Sequence, residues 1–179
     1  LRPLDIFKIW EGGMSFHGAL IGIIISTIYF AKKNDLKFFI LTDLIAYVAP
    51  IGLFFGRIAN FINAELYGKP TSFIFGVIFP NIDNLYRHPS QLYEAFLEGI
   101  LLFLIMNFLI LNKKYYIGKC SYLFLIFYGI FRMIAEIFRE PDKQIGYIFN
   151  IISMGSLLSL LMILTGIFLL RTIRKNENK

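Results

Sequence analysis

The stretch FFILTDLIAYVAPIGLFFGRIANF, residues 38–61, decides the fold. Crossing the hydrocarbon core of a bilayer takes roughly 20 mostly apolar residues. This stretch is long and apolar enough to do so before it closes on Arg57 and Asn60. Its apolar residues run on continuously instead of alternating, which reads as a helix. In lipid the only other solution is a closed barrel. Working outward, four further stretches have the same character: 14–31, 92–111, 122–138 and 147–170. The expectation is an all-α polytopic transmembrane helix bundle with five visible spans, forming one integral membrane domain over 1–179.

Composition agrees. The chain has 179 residues, 57% hydrophobic and 17% aromatic, with a mean hydropathy of +0.65. A soluble domain rarely carries so much apolar content. The net charge of +6 raises the possibility of a nucleic-acid partner. The charges sit in short gaps between apolar runs, however, and no nucleic-acid motif is present, so no nucleic acid is expected. A single cysteine, Cys120, excludes a disulfide framework and a thiolate-rich metal centre. The chain opens on Leu1 with nothing like a signal peptide near it, so an N-terminal part is expected to precede it.

Lysine and arginine set the orientation. Lys32, Lys33 and Lys37 follow the first stretch, Lys113, Lys114 and Lys119 follow the third, and Arg171, Arg174, Lys175 and Lys179 follow the fifth. In an up-down bundle these gaps share one side, which the positive-inside bias makes cytoplasmic. The opposite, periplasmic side then holds residues 1–13, the turn 140–146 and the long loop 64–91. That loop carries Gly68, Pro70, Gly76, Pro80 and Pro89 beside Phe73, Phe75, Val77, Ile78 and Phe79. Two readings fit it equally: a segment in the membrane interface, or a small hairpin packed on the bundle.

Ionisable groups inside a span cost about 2.5 to 3.5 kcal/mol each to insert and mark function by default. Here they gather on the periplasmic side: Ser15 and His17 in the first stretch; Arg57, Asn60, Asn63 and Glu65 at the end of the second; Gln91, Tyr93, Glu94 and Glu98 at the start of the third; Tyr128, Arg132, Glu136 and Arg139 at the end of the fourth. Tyr128, Arg132 and Glu136 share a helix face, as do Arg57 and Asn60. Arginine grips phosphate through paired hydrogen bonds, so the pattern reads as a polar cavity for a lipid headgroup. The plainer alternative is a set of structural ion pairs, such as Arg132 with Glu136 or Arg57 with Glu65. His17, with an ordinary pKa near about 6.5, is suited to take a proton. Two histidines without a thiolate cluster make no metal site. Gly18-xxx-Gly22 and Gly52-xxx-Gly56 read as close helix packing.

Four blocks resemble one known family. They are GGMSFHG at 12–18, GRIANFINAELYG at 56–68, HPSQLYE at 88–94 and YGIFRMIAEIFREPD at 128–142. In this order they are similar to the motifs of the prolipoprotein diacylglyceryl transferase family. Gly155-Ser156 departs from the Gly-Gln common there. The resemblance implies a seven-helix enzyme of the bacterial inner membrane, with its active site toward the periplasm. Such an enzyme moves a diacylglyceryl group from phosphatidylglycerol to the lipobox cysteine of a prolipoprotein signal peptide, forming a thioether and releasing glycerol phosphate. It implies catalytic roles for His17, Arg132, Glu136 and Glu65, and phosphatidylglycerol binding by Arg57, Asn60 and Gly68, with no metal or organic cofactor. Its partners would be that lipid, the precursor peptide and the surrounding membrane lipid. The alternatives are a secondary transporter with an intramembrane charged site and a non-catalytic membrane scaffold.

Overall fold

The computed structural model describes residues 16–111, 116–140, 147–148 and 152–177. The chain divides into two compact units, Leu1–Leu41 and Thr42–Lys179. In the first, α1 spans Phe16–Lys33 and ends on Lys32 and Lys33, cations placed where the helix dipole favours them. Helix α2, Phe38–Ile62, begins at the end of this unit and carries Pro50 in its interior.

In the second unit, α2 leads into a loop with one small hairpin, β1 (Val77–Ile78) against β2 (Tyr86–Arg87), paired antiparallel. Then comes one long helix in three parts: α3 (Ser90–Glu94), a π-helical turn over Ala95–Leu101, and α4 (Leu102–Leu111). Helix α5 spans Lys119–Glu136, a short pair β3 (Tyr147–Ile148) and β4 (Ile152–Ser153) follows, and α6 spans Met154–Glu177. The fold is all-α apart from these two-residue strands. Among the described residues, three helices are long and apolar enough to cross a membrane: Phe38–Ile62, Ser90–Ile110 and Met154–Ile173.

Four of the five expected stretches coincide with helices to within a few residues. The fifth needs correction: Tyr147–Ile148 and Ile152–Ser153 are strands, and α6 starts at Met154. Ser153 sets that start, because its Oγ accepts the Ser156 N–H at 3.1 Å. A side-chain oxygen satisfying a free donor of the first turn is an N-cap. The loop 64–91 contains the small β1–β2 hairpin. Phe79 is buried in it, while Phe73, Ile74 and Phe75 are exposed.

The core of this unit is Ala46, Leu102, Met106, Cys120 and Phe131. In this unit close helix approach comes from Gly99, Gly129 and Gly166. A Cβ on Gly22, Gly52 or Gly56 would meet nothing within 4 Å among the described residues. On Gly129 it would lie 2.7 Å from Ile163 and 2.8 Å from the Ser159 carbonyl, and on Gly166 it would lie 2.7 Å from Ile126. Glycine thus brings α5 and α6 together, and Gly99 does the same for the π turn against Phe54 of α2 at 2.7 Å.

The two ends of the unit are built differently. At one end Asp43, only 3% exposed, reaches from α2 to the start of α5. Its carboxylate accepts the Gly118 N–H at 2.6 Å, the Ser121 N–H at 2.8 Å and the Ser121 hydroxyl at 2.7 Å. It therefore caps α5 from a neighbouring helix. Asp43→Ala leaves these donors unmet and is expected to cost about 2–4 kcal/mol. Thermal unfolding in detergent checks this, and an unchanged midpoint would contradict it. The other end, where α2 and α5 finish and α3 and α6 begin, carries the charges.

Candidate functional site: a buried arginine–glutamate network

Three arginines and three glutamates meet where these four helix ends converge. Glu94 closes α3 and Glu98 lies in the π turn; both are 0% exposed. A π turn inside an α-helix is unusual and recurs at functional sites. Glu94 is gripped from several sides. Its Oε2 lies 2.9 Å from Arg57 Nε, and its Oε1 lies 2.5 Å from Arg132 Nη1 and 3.6 Å from Arg139 Nη1. Glu98 Oε2 accepts from Arg57 Nη2 at 3.0 Å, while its Oε1 is 3.8 Å from Arg132 Nη1. One turn along α5, Arg132 Nη2 meets Glu136 Oε2 at 2.7 Å.

Burying a charge is affordable only when it is paired. Arg57 and Arg132 are each shared between two or more carboxylates, and Glu94 sits between them as the hub. The pairing is nevertheless incomplete as hydrogen bonding. Glu94 Oε2, Glu98 Oε1, Glu136 Oε2 and Gln91 Oε1 are buried and accept no aligned hydrogen bond.

The surrounding frame is rigid and local. After α2 the chain turns through Ala64 and Leu66, at φ 54° and 53°, a left-handed conformation that side chains adopt at a cost. Two donors at the start of α3 hold the turn: Ser90 Oγ bonds the Leu66 carbonyl at 3.1 Å, and Gln91 Nε2 bonds the Glu65 carbonyl at 2.6 Å. Gly68 is bridged to Arg139, and its N–H donates to the His88 carbonyl at 3.0 Å. Arg87 ties the loop together, donating to Asp83 at 2.6 Å, to the Gly68 carbonyl at 3.0 Å and to Glu140 at 3.4 Å. The hydrogen-bonded Asp83 carboxylate holds the Arg87 guanidinium above its ordinary pKa. Gly155 at the start of α6 closes one side, since a Cβ there would lie 2.7 Å from the Glu136 carboxylate.

The network brings together three of the expected site residues: Arg57, Arg132 and Glu136. Of the two ion pairs that the plainer alternative offered, Arg132 with Glu136 is present, while Arg57 pairs with Glu94 and Glu98 instead of Glu65. Glu65 is exposed, Asn60 is half-buried, and neither side chain joins the network among the described residues. Gly68 is buried beside it. His17 stands near the start of α1 in the first unit, and its side chain lies outside the described residues. Glu94, Glu98 and Arg139 were legible as charges at span ends, but nothing in the sequence marked Glu94 as the hub. Their signal was the four-residue spacing of two acids on an otherwise apolar helix.

Long apolar helices around a buried, balanced charge network define a polytopic membrane protein with a polar site at one end of its helices. A sequence model described as prolipoprotein diacylglyceryl transferase matches residues 1–172, and the chain belongs to that family. It is 56% identical over 173 residues to the phosphatidylglycerol–prolipoprotein diacylglyceryl transferase of Rickettsia bellii (strain OSU 85-389), covering 94% of this chain and 65% of that one. Likeness to the protein of the same name from Rickettsia felis is 55% over 173 residues, covering 94% and 66%. For Ehrlichia ruminantium (strain Welgevonden) it is 53% over 180 residues, covering 98% and 70%. The chain thus spans about 65% of the length of the first of these relatives.

Proposed function

We propose that the protein transfers the diacylglyceryl group of phosphatidylglycerol to the lipobox cysteine of a prolipoprotein. The observation that carries this reading is the pair Arg57 and Arg132, brought from two helices to either side of Glu94. Family membership and the names of the relatives support it. Nothing observed favours the transporter alternative.

In the reaction, the cysteine thiolate attacks the glyceryl carbon that bears the phosphate. The carbon–oxygen bond breaks, its electron pair leaves with the phosphate, and a thioether and glycerol phosphate result. The thiol must first lose its proton, and His17 is the proposed acceptor, with Glu65 and Glu136 as assisting carboxylates. Arg57 and Arg132 hold the phosphate and stabilise the charge that builds on the leaving group. Asn60 orients the headgroup, and Gly68 keeps the backbone close to the site. The chain sits in the bacterial inner membrane with the network toward the periplasm. Lysines at and just after the end of α1, lysines following α4, and the arginines and lysines closing α6 support that orientation.

The test is a lipobox peptide incubated with the full chain and phosphatidylglycerol, read by mass spectrometry for a diacylglyceryl thioether. Arg57→Ala is expected to lower turnover about 10²–10³-fold, the usual cost of removing one charge-stabilising donor. His17→Ala is expected to lower it about 10²–10⁴-fold, the usual range for a general base. Full activity in Arg57→Ala would remove the phosphate clamp, and full activity in His17→Ala would remove the base assignment.

A further inference from the structure

The network is electrically balanced before any substrate arrives. Among the described residues it holds Arg57, Arg132 and Arg139 against Glu94, Glu98 and Glu136. A phosphodiester stays ionised at neutral pH, so placing one among these groups adds an uncompensated negative charge to a site whose two central carboxylates are fully buried. Such a charge is strongly disfavoured unless a partner or a proton neutralises it. The arginines that would bind the phosphate are also already engaged by carboxylates. Anion entry must therefore loosen at least one arginine–glutamate pair.

Resting on the lipid-transfer reading of this same site, we infer that a phosphate-bearing lipid headgroup enters the network together with one proton, taken up by Glu98. The geometry singles out Glu98. Glu94 has both oxygens within 3 Å of an arginine nitrogen and a third arginine near. Glu136 is held by Arg132 at 2.7 Å. Glu98 keeps one close contact, to Arg57; its Oε1, like Glu94 Oε2 and Glu136 Oε2, accepts no hydrogen bond, but it lies 3.8 Å from Arg132 where those two lie within 3 Å of an arginine nitrogen. The groups facing it are Arg57 from α2, Arg132 and Tyr128 from α5, and Glu94 from its own helix. Protonating Glu98 weakens its hold on Arg57 and returns the cluster to neutrality once the phosphate is bound. The bare oxygen supplies the place for the proton.

The experiment is calorimetric titration of short-chain phosphatidylglycerol into the full chain held in phosphatidylcholine nanodiscs, in two buffers with different heats of ionisation. The expected result is one proton taken up per lipid bound on the alkaline side of the linked transition. There the affinity falls about tenfold per pH unit, as one-proton linkage requires. Glu98→Gln, neutral and of the same shape, is expected to bind with no proton uptake and a flat pH profile. Binding by the unmodified chain without proton uptake overturns the inference and leaves the lipid reading standing. No binding at all overturns both. Uptake unchanged in Glu98→Gln removes the assignment to Glu98. If that variant fails to fold, the buffer dependence of the unmodified chain still decides whether a proton is taken up. A competition arm with inorganic phosphate separates the two sources of the anion: lipid retained at equal concentration supports the headgroup, and lipid displaced overturns it.

Discussion

Arg132→Ala is expected to abolish detectable transfer, lowering turnover by about 10³-fold or more, and to destabilise the protein by about 3–5 kcal/mol. Both effects come from the same geometry. Arg132 spans three carboxylates, at 2.5 Å from Glu94, 2.7 Å from Glu136 and 3.8 Å from Glu98. Removing it leaves Glu136 without the ion pair described above and cuts the link between α5 and the hub. Breaking one side of a buried pair costs far more than the pair itself contributes, because the remaining charge stays buried. Arg132→Lys separates the two effects. Lysine restores a charge but presents one compact group in place of a planar fork, so it cannot meet Glu94 and Glu136 in the same way. The expectation is a folded protein with turnover still reduced about 10²-fold. Thermal unfolding and peptide lipidation measured side by side check this, and wild-type turnover in Arg132→Lys would show that the fork geometry is not used.

Gly68→Ala is expected to have the largest effect of any substitution outside the charged groups. The Cβ it adds would lie 2.3 Å from the His88 carbonyl oxygen and 2.7 Å from that of Phe138. Both are backbone atoms, so no side chain can swing aside. The bridge from Gly68 to Arg139 must part, and with it the junction that sets the end of α5 against the loop. Overpacking of this kind costs about 1–3 kcal/mol. Turnover is expected to fall at least tenfold, because Arg139 and the end of α5 carry part of the network. Gly68 is not among the residues with positive φ, and its space is taken by the backbone of His88 and Phe138. Limited proteolysis of the 64–91 loop together with turnover checks the prediction, and an alanine variant as resistant and as active as the original would contradict it.

The spans were legible because the bilayer imposes them. A length and a continuous apolarity are properties of neighbouring residues, and 38–62, 90–110 and 154–173 carry them plainly. What failed was local and short. Tyr147–Ile148 and Ile152–Ser153 belong to a run apolar enough to pass for the start of a helix, but a short apolar run does not distinguish strand from helix, and the Ser153 cap places the boundary at Met154. The glycine spacing in α2 pointed to packing that the structure finds instead at Gly99, Gly129 and Gly166. Spacing says which residues share a face, not what stands opposite.

The site was half legible for the same reason. Arg57, Arg132 and Glu136 stood out as charges where charge is costly. Which acid each arginine meets depends on the distance between helices, so Glu65 stood as the partner of Arg57 until Glu94 and Glu98 were placed. Asp43 was missed altogether. A lone acid in an apolar helix carries no local sign that it caps another helix, and its partners Gly118 and Ser121 lie more than seventy residues away in sequence.

The lipid-transfer reading requires that the phosphate leave as glycerol phosphate when the peptide thiol takes the diacylglyceryl group. Phosphorus NMR of phosphatidylglycerol in nanodiscs, with the full chain and a lipobox peptide present, measures this directly. The phosphodiester signal is expected to convert to a phosphomonoester, one for each thioether formed, and only when the peptide cysteine is present. Thioether formation without a matching monoester, or an unchanged phosphodiester signal in an active preparation, would contradict it.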